Sequence, residues 1–167
     1  VGEFHITDPA TVRIRATKDV DVIVAVASKV EYNRLEEELR DLGFRNDTSD
    51  ESVICRWISP EGHKLDLMPI DPEILGFSNR WYRFAVEDTV LQELNEELTI
   101  SIPTAPAFFA TKLEAFRDRG RSDLLGSSDL EDLIVLIAGR PELVAEMREV
   151  PEEVREWTAS AVGELLE

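Results

Sequence analysis

Cysteine, histidine and positive charge are all scarce in this chain of 167 residues, which carries one Cys, two His and eighteen basic side chains against thirty-five acidic ones. The lone Cys55 excludes a disulfide framework and a thiolate zinc site. Set within Val53-Ile-Cys-Arg-Trp57, it reads as a small buried hydrophobe. His5 and His63 lack partners at a spacing that would suggest a metal site or a catalytic triad. The shortage of positive charge leaves a formal net charge of −17, which disfavours passive binding to nucleic acid and suits a cationic small molecule or a basic partner better. No apolar run reaches the roughly eighteen residues of a membrane helix and no signal-peptide pattern is present, so a soluble cytoplasmic protein is the expectation. Internal repeats and low-complexity segments are absent as well.

An ordinary apolar fraction of 43% can supply a real core, in one compact domain or two closely packed lobes. The chemistry concentrates in Arg15-Ala-Thr-Lys-Asp-Val-Asp-Val22. Asp19 and Asp21 stand at the head of Val20-Asp-Val-Ile-Val-Ala-Val26, whose β-branched residues read as a buried strand. Because strand side chains alternate, both carboxylates share one face while Val20 and Val22 point into the core. Two carboxylates held that close repel unless they share a cation, and a hard ion such as Mg²⁺ suits their oxygens. In Lys64-Leu-Asp-Leu-Met68, Asp66 faces opposite to Leu65 and Leu67. If that strand lies beside the first with the carboxylates level, three of them converge, enough for two metals.

Local signals organise the rest. Ser28-Lys-Val-Glu31 is a capping box opening a helix to about Leu42, with Val30, Leu35, Leu39 and Leu42 as its apolar stripe and Gly43 as its end. A polar loop over 45–51 leads to a hairpin, 52–58 and 64–70, turning at Pro60-Glu-Gly62. Short strands are expected at Arg83 to Val86 and Leu98 to Ile102. Phe77, Trp81, Tyr82 and Phe84 form an aromatic group suited to core and rim, with stacking on a base as the rarer use. A helix follows from Pro106 to Asp118, then one opened by Ser128-Asp-Leu-Glu131, then two more introduced by Pro141 and Pro151. The expected architecture is α/β in the α+β sense. A small mixed sheet over residues 1–103 precedes a helical lobe over 104–167 packed on it.

Arg-x-Thr-x-Asp-Val-Asp before an apolar strand, with a later strand aspartate, resembles the nucleotidyltransferase superfamily typified by DNA polymerase β. Within it the chain is similar to the AbiEii-type toxin and abortive-infection subgroup, which includes the MenT-like enzymes. Ala110-Thr-Lys-Leu-Glu-Ala-Phe-Arg-Asp-Arg-Gly120 and Ser128-Asp-Leu-Glu-Asp-Leu133 carry that likeness into the second half, so it spans roughly Ile14 to Leu143. The superfamily normally places Gly-Ser or Gly-Gly at a helix start about a dozen residues before the paired aspartates. Here only Val1-Gly2-Glu3 is offered, somewhat too far from Asp19. Either the motif is degenerate or residues carrying it lie upstream, and a start at Val rather than Met favours the second.

The resemblance implies transfer of a nucleoside monophosphate from an NTP to an acceptor hydroxyl, with Mg²⁺ or Mn²⁺. As acceptor the resemblance suggests a tRNA 3′ end in a toxin or phage-defence setting, with a cognate antitoxin protein as a further partner. A cationic small molecule or a hydroxyl on a partner protein stays open as acceptor, and so does a non-catalytic module of the same fold that binds a protein or nucleotide. Asp19 and Asp21 then hold both metals, while Asp66 completes the second site and takes the proton of the attacking hydroxyl. Arg15 and Thr17 shape the active-site loop. Lys112 acts as a point charge on the nucleotide phosphates. Arg119 is preferred for phosphate contact among the basic cluster Arg117, Arg119 and Arg121. Asp129 and Asp132 lie three apart on a helix and can share a face. One of them is expected near the substrate, although helix-dipole capping also accounts for Asp129.

Overall fold

The computed structural model describes residues 2–8, 19–49, 53–120 and 126–165. It is a mixed α+β protein with two small sheets and, among the described residues, seven α-helices. The chain divides into two compact units, Arg15–Val86 and Val1–Ile14 with Glu87–Glu167. The division thus falls at 86/87, ahead of the 103/104 boundary suggested by composition. No helix of the described residues is long and apolar enough to cross a membrane.

The first unit holds β1 (Asp19–Val24), α1 (Lys29–Asp41), β2 (Arg45–Asn46), β3 (Arg56–Ile58), β4 (Lys64–Pro69), α2 (Pro72–Leu75) and α3 (Tyr82–Glu87). Its sheet has the order β1-β4-β3-β2. β1 runs parallel to β4, and the other two pairings are antiparallel. Tyr32 from α1 lies against Trp57, Leu67 and Ile74, with Val22, Val24, Leu35 and Leu39 packed around them. The Tyr32 hydroxyl donates to the Leu67 carbonyl at 2.9 Å, so the buried phenol is satisfied. Burial also raises the Tyr32 pKa above the usual tyrosine range, with Glu36 adding to it.

Several expectations are corrected here. Among the described residues β1 lies at the edge of its sheet, and Val20 is 55% exposed rather than in the core, whereas Val22 and Val24 pack against it. The α1 stripe is Tyr32, Leu35 and Leu39, while Val30 and Leu42 face solvent. Ser28 does cap α1 by accepting from the Glu31 N–H, and Glu31 accepts in return from the Ala27 N–H. Gly43 follows with φ +86°, and a Cβ there would meet Pro60 at 3.1 Å, so only glycine suits this helix end. The loop expected over 45–51 contributes the short β2, paired with β3 through Arg45↔Ile58 and Asn46↔Trp57.

The hairpin forms about the expected turn, but its first strand is only Arg56–Ile58 rather than 52–58. The Ser59 hydroxyl accepts from the N–H groups of Glu61 and His63, and Gly62 takes φ +90°. The strand expected at Arg83 to Val86 is instead the helix α3. The Asn79 side chain accepts from the Trp81 N–H and its carbonyl from the Tyr82 N–H, which winds the chain into a turn where the short apolar run had suggested a strand.

The second unit opens on a 3₁₀ turn, Gly2–His5, and continues with the hairpin β5 (Thr89–Glu93) and β6 (Thr99–Pro103). The Thr104 N–H closes this hairpin on the Asp88 carbonyl, and the Thr104 hydroxyl caps α4 (Ala105–Ala115), so the hairpin runs directly into the helical part. α4 is almost wholly apolar and central. Phe108, Phe109 and Leu113, with Phe116 just beyond, form a core with Leu133 and Leu136 of α5 (Ser128–Gly139). Leu143 of α6 (Leu143–Glu146) and Ala161 of α7 (Glu152–Leu165) complete it. α4 ends three residues before the expected Asp118 and continues as a π-helical turn, Phe116–Gly120. The cap of α5 is Ser127, not Ser128, since the Ser127 hydroxyl accepts from the Leu130 N–H. The 3₁₀ turn is fastened by Arg140, whose guanidinium donates to the His5 carbonyl at 2.8 Å.

Candidate functional site

Parallel pairing of β1 with β4 sets Asp21 directly opposite Asp66, with Asp19 one alternation back on the same face. Asp19 and Asp21 are exposed, whereas Asp66 is buried at 7% of its accessible surface. The burial has a cause on β3. Arg56 is the antiparallel partner of Asp66, and its guanidinium grips that carboxylate with both arms, Nε to Oδ1 at 2.7 Å and Nη2 to Oδ2 at 2.6 Å. The same Nη2 lies 3.8 Å from Asp19 Oδ2. Hydrogen bonding to Asp66 holds the Arg56 pKa above its already high ordinary value. Beside them Cys55 is buried, and desolvation, with the Asp66 charge adding to it, pushes its thiol up to about 11. It is a closed hydrophobe rather than a nucleophile.

The three carboxylates therefore share a face, and a guanidinium shares it with them. Among the described residues no three His, Cys, Asp or Glu side chains are gathered so as to hold a metal ion. The donor chemistry of Asp19 and Asp21, hard oxygens open to solvent, fits a divalent cation. Asp66 as it stands has both oxygens committed to Arg56. Arg56 escaped the sequence reading, although the signal existed. A hairpin turning about Glu61 pairs Ile58 with Lys64, Trp57 with Leu65 and Arg56 with Asp66.

A second charged cluster lies in the other unit. Asp129, in the first turn of α5, is 3% exposed and receives Lys112 Nζ from α4 at 3.4 Å and Arg119 Nε from the π-helical turn at 3.0 Å. Lys112 also pairs with Asp132 at 2.7 Å, so both aspartates share its face of α5. Lys112, Arg119, Asp129 and Asp132 thus form one network. Arg117 points elsewhere, onto Glu164 at 3.0 Å and over the Trp157 ring. Arg15, Thr17 and Arg121 lie outside the described residues. Of the two histidines, His63 is exposed and His5 is buried against the Phe108 ring, 5.1 Å between centroids.

No protein-family model matches the chain, and no curated protein matches its sequence.

Proposed function

We propose that this chain is a metal-dependent nucleotidyltransferase of the superfamily it resembles, moving a nucleoside monophosphate from an NTP to an acceptor hydroxyl. One observation carries the reading: the β1–β4 register that aligns Asp21 with Asp66 and leaves Asp19 on the same face. Sequence neighbours alone would supply only the Asp19 and Asp21 pair. A carboxylate forty-five residues on joins them through the tertiary fold.

Asp19 and Asp21 are the residues to hold Mg²⁺ or Mn²⁺, which when bound neutralises charge on the triphosphate. The acceptor oxygen forms its bond to the α-phosphorus as the bond to the pyrophosphate oxygen breaks. The hydroxyl proton passes to Asp66, which gives up one of its Arg56 hydrogen bonds to accept it. Within the second unit, Lys112 and Arg119 are the cations suited to an anionic group. Both are held on Asp129, so any anion they bind competes with that carboxylate for them. The acidic balance of −17 favours a cationic small molecule or a basic protein as acceptor over a tRNA 3′ end, with the latter and a cognate antitoxin retained for a cytoplasmic toxin-type enzyme.

A second reading, a non-catalytic module of the same fold, is favoured by the grip of Arg56 on Asp66. Calorimetry of NTP binding with and without Mg²⁺, on the protein and its Asp19→Ala, Asp21→Ala double variant, separates the two. The transferase reading expects metal-dependent binding that weakens at least about tenfold in the variant, a loss of about 1.4 kcal/mol. Binding indifferent to metal and to the substitutions supports the module. Transfer is then read with NTP labelled at the α-phosphate against tRNA, aminoglycoside-like cations and basic proteins.

A further inference from the structure

Among the described residues β5 pairs with β6 alone, so the hairpin is a sheet of two strands with an open edge. Two strands are marginal by themselves. This pair is anchored at its base, where Ile102 is buried and the Thr104 N–H bonds the Asp88 carbonyl. At the tip the Leu94 N–H bonds the Leu98 carbonyl. Pairing alternates between these two bonds, so Val90 and Gln92 turn their main-chain groups to β6 while Thr89, Leu91 and Glu93 turn theirs outward. The Glu93 carbonyl accepts from the Gln92 side chain, but among the described residues nothing bonds the outward N–H and C=O of Leu91. The Leu91 side chain is 78% exposed, and Val90, Leu94 and Leu98 are about half exposed. An open edge bearing apolar side chains is a template for another strand.

The charge around this edge has one sign. Residues 87–104 hold five acidic side chains, Glu87, Asp88, Glu93, Glu96 and Glu97, and no basic one. None of the five is in an ion pair among the described residues. A second copy of the chain is therefore a poor occupant: two β5 edges paired about Leu91 bring the Glu96 and Glu97 tip of one to Glu87 and Asp88 of the other. We propose that the outer edge of β5 is a docking surface for a basic, extended segment of a partner protein, which adds to the hairpin as a third strand. Its main chain pairs with Leu91, its apolar side chains extend the face of Val90 and Leu94, and its Lys or Arg side chains meet Glu93 and the acids at either end. This surface is independent of the transferase reading.

The test is fluorescence anisotropy of a labelled peptide in which Val alternates with Lys, titrated with the full chain in the absence of nucleotide. Binding is expected, and two control peptides are expected not to bind: one with Glu for Lys, and one N-methylated throughout its backbone. Leu91→Lys, and the triple variant Glu93→Gln, Glu96→Gln, Glu97→Gln, are each expected to weaken binding at least about tenfold. The triple variant Glu37→Gln, Glu38→Gln, Asp41→Asn removes as much charge from exposed positions of α1 and is expected to leave binding unchanged. Circular dichroism reports folding, and should Leu91→Lys unfold, the Gln triple at exposed positions decides. No binding to the native protein overturns the proposal. So does an equal loss in the α1 triple, or binding of the N-methylated peptide, since the attraction is then that of an acidic chain at large. A dimer in sedimentation equilibrium that Leu91→Lys dissociates gives the edge to a second copy and overturns it as well. The transferase reading stands or falls separately, on Asp19 and Asp21.

Discussion

Asp21 and Asp66 face each other across the parallel β1–β4 ladder, although forty-five residues of chain separate them. On the other side of Asp66 stands Arg56, so the face carries acid, acid and base in one row perpendicular to the strands. The row is a product of register. Moving β4 by one residue would turn Asp66 to the α1 side and bring Leu65 or Leu67 out to solvent, which the core formed by Tyr32, Trp57 and Leu67 opposes.

That opposition is measurable. Leu67→Ala is expected to cost about 3 kcal/mol, since Leu67 is 5% exposed in the core. Val20→Ala, two residues earlier in register on the same sheet face, is expected to cost less than about 0.5 kcal/mol because that side chain is exposed. Urea denaturation of both variants checks the edge-strand assignment, and comparable losses would contradict it.

His5 makes stability depend on pH. Burial, with the neighbouring Arg140 charge adding to it, lowers its pKa from 6.5 to about 4. The folded state therefore keeps His5 neutral where the unfolded chain takes up a proton. The contribution is whole above pH 6.5, declines as pH falls towards 4, and is constant below that. Its size is about 3 kcal/mol at most. His5→Leu is expected to flatten the slope over this window in denaturation at stepped pH, and an unchanged slope would show that other groups set it.

Asp129 and Asp132 bind the same lysine from different environments. Asp129→Ala removes the buried partner of both Lys112 and Arg119 and is expected to cost about 2 kcal/mol. Asp132→Ala removes a side chain that is 29% exposed and is expected to cost about 0.5 kcal/mol. Equal costs by urea denaturation would mean that burial of Asp129 does not govern the network.

The helix caps give a test at single-residue precision. Ser28→Ala and Ser127→Ala each remove a hydroxyl that accepts a first-turn N–H, at about 1 kcal/mol apiece. Ser128→Ala, inside the first turn of α5, is expected to stay within a few tenths. Thermal unfolding ranks the three, and a Ser128 loss matching that of Ser127 would return the cap to Ser128.

Much of this architecture follows from signals only a few residues long. The Ser28 cap and Gly43 bound α1, Pro60-Glu-Gly62 turns the hairpin, and the apolar run from Ala105 with Thr104 before it makes α4. Each is local physics: a satisfied first-turn N–H, a positive φ, an absent β-branched run. Where local signals were thin the reading failed. Arg83 to Val86 suits strand or helix, and hydrogen bonds from Asn79 decide for helix. Thr89 to Glu93 lacks clean alternation and becomes β5 only through its pairing with β6.

The candidate site divides along the same line. Alternation along a strand is enough to put Asp19 and Asp21 on one face, and composition alone shows a chain short of cations. That Asp66 joins them, that Arg56 occupies its carboxylate, that Val20 is exposed and that Asp129 is buried between Lys112 and Arg119 were decided by tertiary structure. The reason is physical: a side chain's period is written in its own segment, whereas its neighbour depends on strand order and register, which are set by the packing of distant apolar residues.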